Sequence, residues 1–198
     1  MHYGICNETF GDWSFKRACE FAAECGYTGI EIAPFTLGSD PQELSEAQRG
    51  DLRRTIAQAG LDCIGLHWLL AKTEGFHVTD ADRSVRDRTV DYLGDLARLC
   101  RDLGGRILVF GSPHQRSLLP GVTPEQADGF LREVFGRLVP VLEETDTVLA
   151  LEPLAPIETD VLTTAADTCR LIDAIGSPHV RLHLDVKAMA SEALSIPE

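Results

Sequence analysis

The amino-acid sequence predicts an α/β fold built on a parallel sheet, and three observations predict it. Short aliphatic runs alternate with amphipathic stretches of helical length along the whole chain. Successive runs are spaced by roughly 25 to 40 residues, which leaves room for a helical crossover and is too long for hairpins. Two runs end on a carboxylate: Val148-Leu149-Ala150-Leu151-Glu152-Pro153 and Val180-Arg181-Leu182-His183-Leu184-Asp185. Such apolar runs suit strands buried on both faces. A charge at the carboxyl end of a strand points into the mouth where α/β folds bind ligands.

Residues 3–6 form the first predicted strand, and residues 15–25 follow as a helix ending at Gly26. The second strand covers 28–32, and a helix over 45–59 is closed by Gly60, which tolerates the left-handed turn that ends a helix. Residues 61–67 make the third strand, and a long helix over 84–103 stops at Gly104-Gly105. The fourth strand spans 106–110. The next helix covers 124–143, with Thr123 as N-cap and Pro124 in its first turn. Within it, Pro140 predicts a kink or an early end, because its nitrogen has no proton to donate. Residues 147–151, 163–175 and 180–184 complete the series as strand, helix and strand, and residues 187–198 read as the start of a sixth helix.

The bulk composition narrows the function. The chain has 198 residues, 44% of them hydrophobic, enough for one sizeable core and a single domain over residues 1–198. A net charge of −13 argues against a nucleic-acid or anionic-membrane partner, since either demands a basic face. A neutral or metal-chelated small molecule fits that field, and local basic groups leave a phosphorylated one open. The six cysteines are dispersed without a Cys-x-x-Cys pair, Met1-His2-Tyr3-Gly4 leads directly into a strand, and no apolar run is long enough to span a bilayer. A reducing cytoplasm is the expected compartment. Homo-oligomerisation stays open.

Two architectures compete for six βα units, an open doubly wound sheet and a (β/α)8 barrel. The turn after the first strand, Asn7-Glu8-Thr9-Phe10-Gly11-Asp12, has no phosphate-cradling glycine pattern, and no Gly-Lys-Ser/Thr occurs. Polar residues close many strands instead: Glu8, Glu31, His67, Ser112, Glu152 and Asp185. So many contributing strand ends favour a barrel mouth. The expected class is therefore a (β/α)8 TIM-type barrel, incomplete in this chain, because a closed one needs eight strands and typically about 250 residues.

Each polar residue carries a chemical and a plain structural reading. Glu152 and Asp185 converge on a divalent metal or on proton transfer at carbon, or each caps a neighbouring loop. His67, beside Trp68, touches substrate or is satisfied structurally. Glu31 is a mouth residue or the partner of a basic side chain. Arg116, with His114 in the loop Gly111-Ser112-Pro113-His114-Gln115-Arg116, binds substrate from over the mouth or is merely solvated. His2, His77 and His179 have no evident partner in the sequence.

These residues resemble the sugar phosphate isomerase/epimerase superfamily, the xylose-isomerase-like barrels that include ketose 3-epimerases and hydroxypyruvate isomerases. The carriers are Gly4-Ile5-Cys6-Asn7-Glu8, Gly26-Tyr27-Thr28-Gly29-Ile30-Glu31-Ile32-Ala33-Pro34-Phe35 and Gly65-Leu66-His67-Trp68. Leu151-Glu152-Pro153-Leu154 with Glu158, and His183-Leu184-Asp185 with Glu192, extend the likeness over residues 3–192. The resemblance implies one divalent ion, Mn²⁺ or Mg²⁺, held by Glu, Asp, His and Glu at strand ends. The first two map onto Glu152 and Asp185, and the other two belong to a seventh and an eighth strand that this sequence does not contain. The expectation is a C-terminally truncated barrel, or one that completes its site from another chain.

By the same resemblance Glu152 is both metal ligand and one acid/base group, acting through an enediolate. Glu158 is a contact to a substrate oxygen, or else an acid favoured by a helix N-terminus. The ketose epimerases carry a sugar-binding histidine where Ala188 stands here; Lys187 beside it binds a carbonyl oxygen or a phosphate, or is a solvated helix-start charge. The implied function is a divalent-metal-dependent isomerase or epimerase of a sugar or sugar phosphate. The alternatives are an inactive or incomplete fragment of such an enzyme and, less favoured, a DNA repair enzyme of the endonuclease IV type. Against the latter stand the negative charge and Gly111 and Ala188, where that branch places histidines.

Overall fold

A computed structural model of the chain describes residues 2–38 and 43–193. Six strands form one parallel sheet in sequential order: β1 (Gly4–Cys6), β2 (Gly29–Ile32), β3 (Asp62–Leu66), β4 (Ile107–Phe110), β5 (Val148–Leu151) and β6 (Val180–Leu182). Each strand hands the chain to a helix: α1 (Phe15–Glu24), α2 (Glu46–Gln58), α3 (Arg83–Leu103), α4 (Pro124–Thr145), α5 (Ala165–Ile175) and α6 (Val186–Met189). An all-parallel sheet whose neighbours follow chain order is the wall of a barrel, and among the described residues six staves are present, with β1 and β6 as free edges. An apolar groove of about 830 Å³, walled by Tyr3, Phe10, Trp13 and Tyr27, runs beside the β1 edge.

The predicted Thr123 cap forms, and Ser45, expected as the first residue of its helix, is a cap too. Ser45 and Gln48 close a reciprocal capping box on α2, and Thr123 and Gln126 close another on α4. Pro140 neither ends nor shortens α4, which continues to Thr145. Pro140 lies on the exposed side, while Leu138 and Leu142 on the opposite side are fully buried and hold the turn. At the far end, the helix expected over 187–198 ends at Met189, residues 190–193 forming turns and bends, and residues 194–198 lie outside the described residues.

The core lies between the sheet and its helices. Ile30, Leu66, Leu108, Phe110, Leu149 and Val180 from the strands meet Leu93, Leu96 and Cys100 of α3 and Val134, Phe135 and Leu138 of α4. Phe110 and Phe135 join the two layers edge to face at 5.1 Å. Each fully buried Leu, Ile or Phe side chain contributes roughly 1.5–3 kcal/mol, so this interface fixes where the strand ends point. Gly65 is required by closeness: a Cβ there would meet the Ile107 carbonyl oxygen at 1.8 Å, so any side chain would push β3 off β4.

Candidate functional site

The carboxyl ends of β3 to β6 surround a cavity of about 570 Å³. His67 and Trp68 enter from the end of β3, Gly111 and Ser112 from β4, Glu152 and Glu158 from β5 and the loop after it, and His183, Asp185 and Lys187 from the segment after β6. The backbone carries the parallel pairing one residue past the strands: Glu152 N–H donates to Phe110 O (3.1 Å) and His183 N–H to Leu151 O (2.8 Å). Both side chains are thereby held at one level of the mouth.

Among the described residues Glu152 is the most enclosed acid, 7% exposed. Burial pushes its carboxyl above the usual carboxylate range and Asp185 adds to this, while His183, His67 and Arg116 pull the other way. His183 Nε2 stands 3.7 Å from Glu152 Oε1. The ring of His67 meets that of His183 edge to face at 6.2 Å. Burial lowers the His67 imidazole, but its bond to Glu31 and the charges of Glu31, Glu152 and Glu8 outweigh this and leave it raised. Nδ1 of His67 is 3.1 Å from Glu31 Oε2, so Glu31 fixes the ring and is indeed the partner of a basic group.

Asp185 reaches the cavity differently from Glu152. Strand β6 ends at Leu182 rather than at residue 184, and Leu184, 53% exposed, lies in the wall of the cavity. Asp185 instead caps α6, its Oδ1 accepting the Lys187 N–H at 3.0 Å. Lys187 Nζ pairs with Glu158 Oε1 at 2.6 Å across the mouth, and Glu158 Oε2 accepts the Ala155 N–H at 3.2 Å. The bond to Glu158 raises the Lys187 ammonium above the usual lysine range.

Arg116 corrects the expectation of a substrate-binding loop charge. It is fully buried, and its guanidinium donates to Glu152 O (2.7 Å) and Leu162 O (3.2 Å), the two ends of the β5–α5 loop. Burial pushes it down to about 10 against the opposing charges of Glu152 and Glu158. The loop's own residues reinforce the joint: Leu118 N–H donates to Asp160 Oδ1 (2.8 Å), and Ser117 and Thr159 share a hydroxyl bond (3.1 Å). His114 is exposed and is not among the residues lining the cavity. His77 and His179 do have partners, Thr79 and the Thr147 carbonyl respectively.

Sequence reasoning missed His183 as a site residue. The signal was present, since a histidine sits inside the apolar run 180–184, but the predicted strand end two residues later placed it within the sheet. Gly111 also gains a reason. A Cβ there would stand 2.4 Å from Glu152 Oε2, so the position that the endonuclease IV branch fills with histidine is here taken up by a carboxylate.

Comparison with known proteins agrees with this architecture. The chain is 24% identical over 198 residues to an L-ribulose 3-epimerase of Mesorhizobium japonicum, covering 99% of this chain and 63% of that protein. It is 27% identical over 174 residues to a probable ketose 3-epimerase of Synechocystis, covering 86% and 56%. The chain thus spans about three-fifths of the curated relatives it matches. A crystal structure of D-psicose 3-epimerase in the presence of D-fructose superposes with a TM-score of 0.83 at 20% identity, over 98% of this chain and 67% of that one. The sequence profile of the xylose isomerase-like TIM barrels matches residues 19–193. With that profile running through five of the six strands and the same parallel staves in the structure, the chain belongs to the xylose isomerase-like TIM barrel family.

Proposed function

We propose that this chain carries the substrate-facing half of a sugar isomerase or epimerase site that moves a proton on a ketose next to its carbonyl. The observation that carries the reading is the joint placement of Glu152, Asp185 and His183 in one cavity, with the Glu152 carboxyl buried and raised. A proton on carbon beside a carbonyl is weakly acidic, and a base of raised affinity matches it better than an ordinary carboxylate. Glu152 takes that proton, an enediolate forms, and its charge must be stabilised as it develops. His67, anchored by Glu31, presents its other ring nitrogen to a sugar oxygen. Glu158 and Lys187 stand at the rim as partners for hydroxyls further along the chain of the sugar. The three 3-epimerase names among the relatives, for L-ribulose, a ketose and fructoselysine, support the same class.

The donor chemistry fits a divalent cation. Glu152 and Asp185 offer the hard oxygens that Mg²⁺ or Mn²⁺ takes, and no cysteine lines the cavity. Such an ion, when bound, supplies positive charge where the substrate oxygens become negative. Among the described residues no three His, Cys, Asp or Glu side chains gather as a metal-holding group. That observation favours a second reading, in which these residues alone bind cation and sugar weakly without turnover.

The acidic mouth favours an uncharged ketose over a phosphorylated one. No helix of the described residues is long and apolar enough to cross a membrane. The free thiols, of which Cys19 and Cys63 are pushed up to about 11 and about 12 by burial, support a cytoplasmic location. The test is incubation with D-fructose, D-psicose and L-ribulose in D₂O with Mn²⁺, followed by NMR. Deuterium entering the carbon next to the carbonyl, and none with Glu152→Gln, supports the reading; no exchange with any ketose favours the second.

A further inference from the structure

Beside the site cavity lies another, of about 670 Å³, and the two share one wall, Trp68. Both volumes fall in the range of about 300–1,000 Å³ usual for ligand sites, and a free monosaccharide cannot occupy both. We propose that the cavity behind Trp68 is a second sugar subsite, so that the preferred substrate is a ketose bearing a further saccharide unit. This deepens the ketose reading above and rests on it.

The walls have the chemistry of a pyranose site. Trp68 is held out at the end of β3 in a left-handed backbone conformation (φ 58°), 42% exposed, its ring stacked on His67 at 5.8 Å. The indole lines both cavities, with the His67 ring against one of its faces. Phe35, from the turn after β2, adds a second flat apolar face. A sugar ring has apolar C–H faces and a hydroxyl edge, so it stacks on an aromatic plane and needs acceptors around it. Glu8 and Asp12, from the β1–α1 loop, provide them: both are exposed, and neither carboxylate makes a hydrogen bond or ion pair among the described residues. Lys72 supplies a donor at the opposite side, its Nζ lying 4.2 Å from the centre of the Phe35 ring.

Other occupants fit less well. A phosphate would face the Glu8 and Asp12 charges at close range. A protonated amine would meet the Lys72 ammonium already seated on Phe35. An aromatic group would stack on Trp68 but leave both carboxylates without donors.

Trp68 itself can report the test, because the chain has two tryptophans and Trp13→Phe leaves Trp68 alone. In that background, fluorescence titrations compare D-fructose with its 6-O- and 4-O-glucosyl derivatives, isomaltulose and maltulose, and calorimetry confirms the affinities. The expected result is that at least one disaccharide binds on the order of tenfold tighter than fructose, and that Glu8→Gln and Asp12→Asn each bring this ratio towards one. Fructose binding with no gain for either disaccharide overturns the subsite and leaves the ketose reading standing. A gain that survives both substitutions overturns it as well. Binding of neither fructose nor disaccharide removes the ketose reading and the subsite with it.

Discussion

Glu152 rests its carboxylate against Gly111, where a Cβ would stand 2.4 Å from Glu152 Oε2. The absence of a side chain on β4 thus sets the position of the acid on β5. Gly111→Ala is expected to fold normally, because the oxygen it displaces is the free end of a flexible side chain. Proton exchange on a ketose should nevertheless fall on the order of ten- to a hundredfold, because the base is moved by about an ångström. An alanine variant with full exchange would contradict this placement of Glu152.

Arg116 pins both ends of the β5–α5 loop through backbone oxygens. Arg116→Met leaves the buried Glu152 carbonyl without a donor, at roughly 1–3 kcal/mol for an unsatisfied group, while Leu162 O keeps the Leu154 N–H. The expected loss is about 1–3 kcal/mol by urea denaturation, with a fall in Tm of roughly 2–12 °C. Arg116→Lys, which can reach one carbonyl but not both, should lie between. A methionine variant as stable as the wild type would show that the loop does not depend on this clamp.

The Lys187–Glu158 pair separates stability from function. Lys187 is largely exposed, so Lys187→Ala should leave the urea-denaturation midpoint nearly unchanged. If Glu158 faces the substrate, freeing it from Lys187 should raise the ketose KM several-fold and leave kcat nearly unaffected. Steady-state kinetics decide, and an unchanged KM would reduce the pair to surface charge.

Burial holds the His77 imidazole below the usual histidine range, against the pull of Asp80 and a bond to the His114 backbone. A folded-state value below the unfolded one means that the unfolded chain takes up the proton first. The stability His77 contributes is therefore complete above about pH 6.5 and declines as pH falls towards the folded value. His77→Asn keeps an acceptor for the Thr79 N–H but does not titrate. Between pH 7.5 and 5.5 the wild type should lose more stability in urea melts than this variant, and equal losses would rule out the effect.

Much of this was legible in the sequence, for identifiable reasons. The strand leading to Glu152 could be read because its apolar run stops abruptly at a carboxylate followed by proline, and the structure ends β5 at Leu151. Thr123 could be read as a cap because capping is a local interaction between a residue and the third one beyond it, whereas Ser45, read as the first helical residue, proves to be a cap as well. The sixth strand misled because Leu184 continues the apolar pattern, whereas the chain leaves the sheet after Leu182 and Asp185 caps α6. Arg116 misled for the opposite reason. Its loop is rich in Gly and Pro and looks solvated, but two carbonyls 36 and 46 residues further on draw the guanidinium inside. Long-range backbone acceptors leave no mark on composition or periodicity.

That Glu152 and Asp185 act on one cation in the mouth of the barrel is tested most directly by calorimetric titration of the chain with Mn²⁺. The expected result is weak one-to-one binding that disappears in both Glu152→Gln and Asp185→Asn. Binding that persists unchanged in either variant would contradict it.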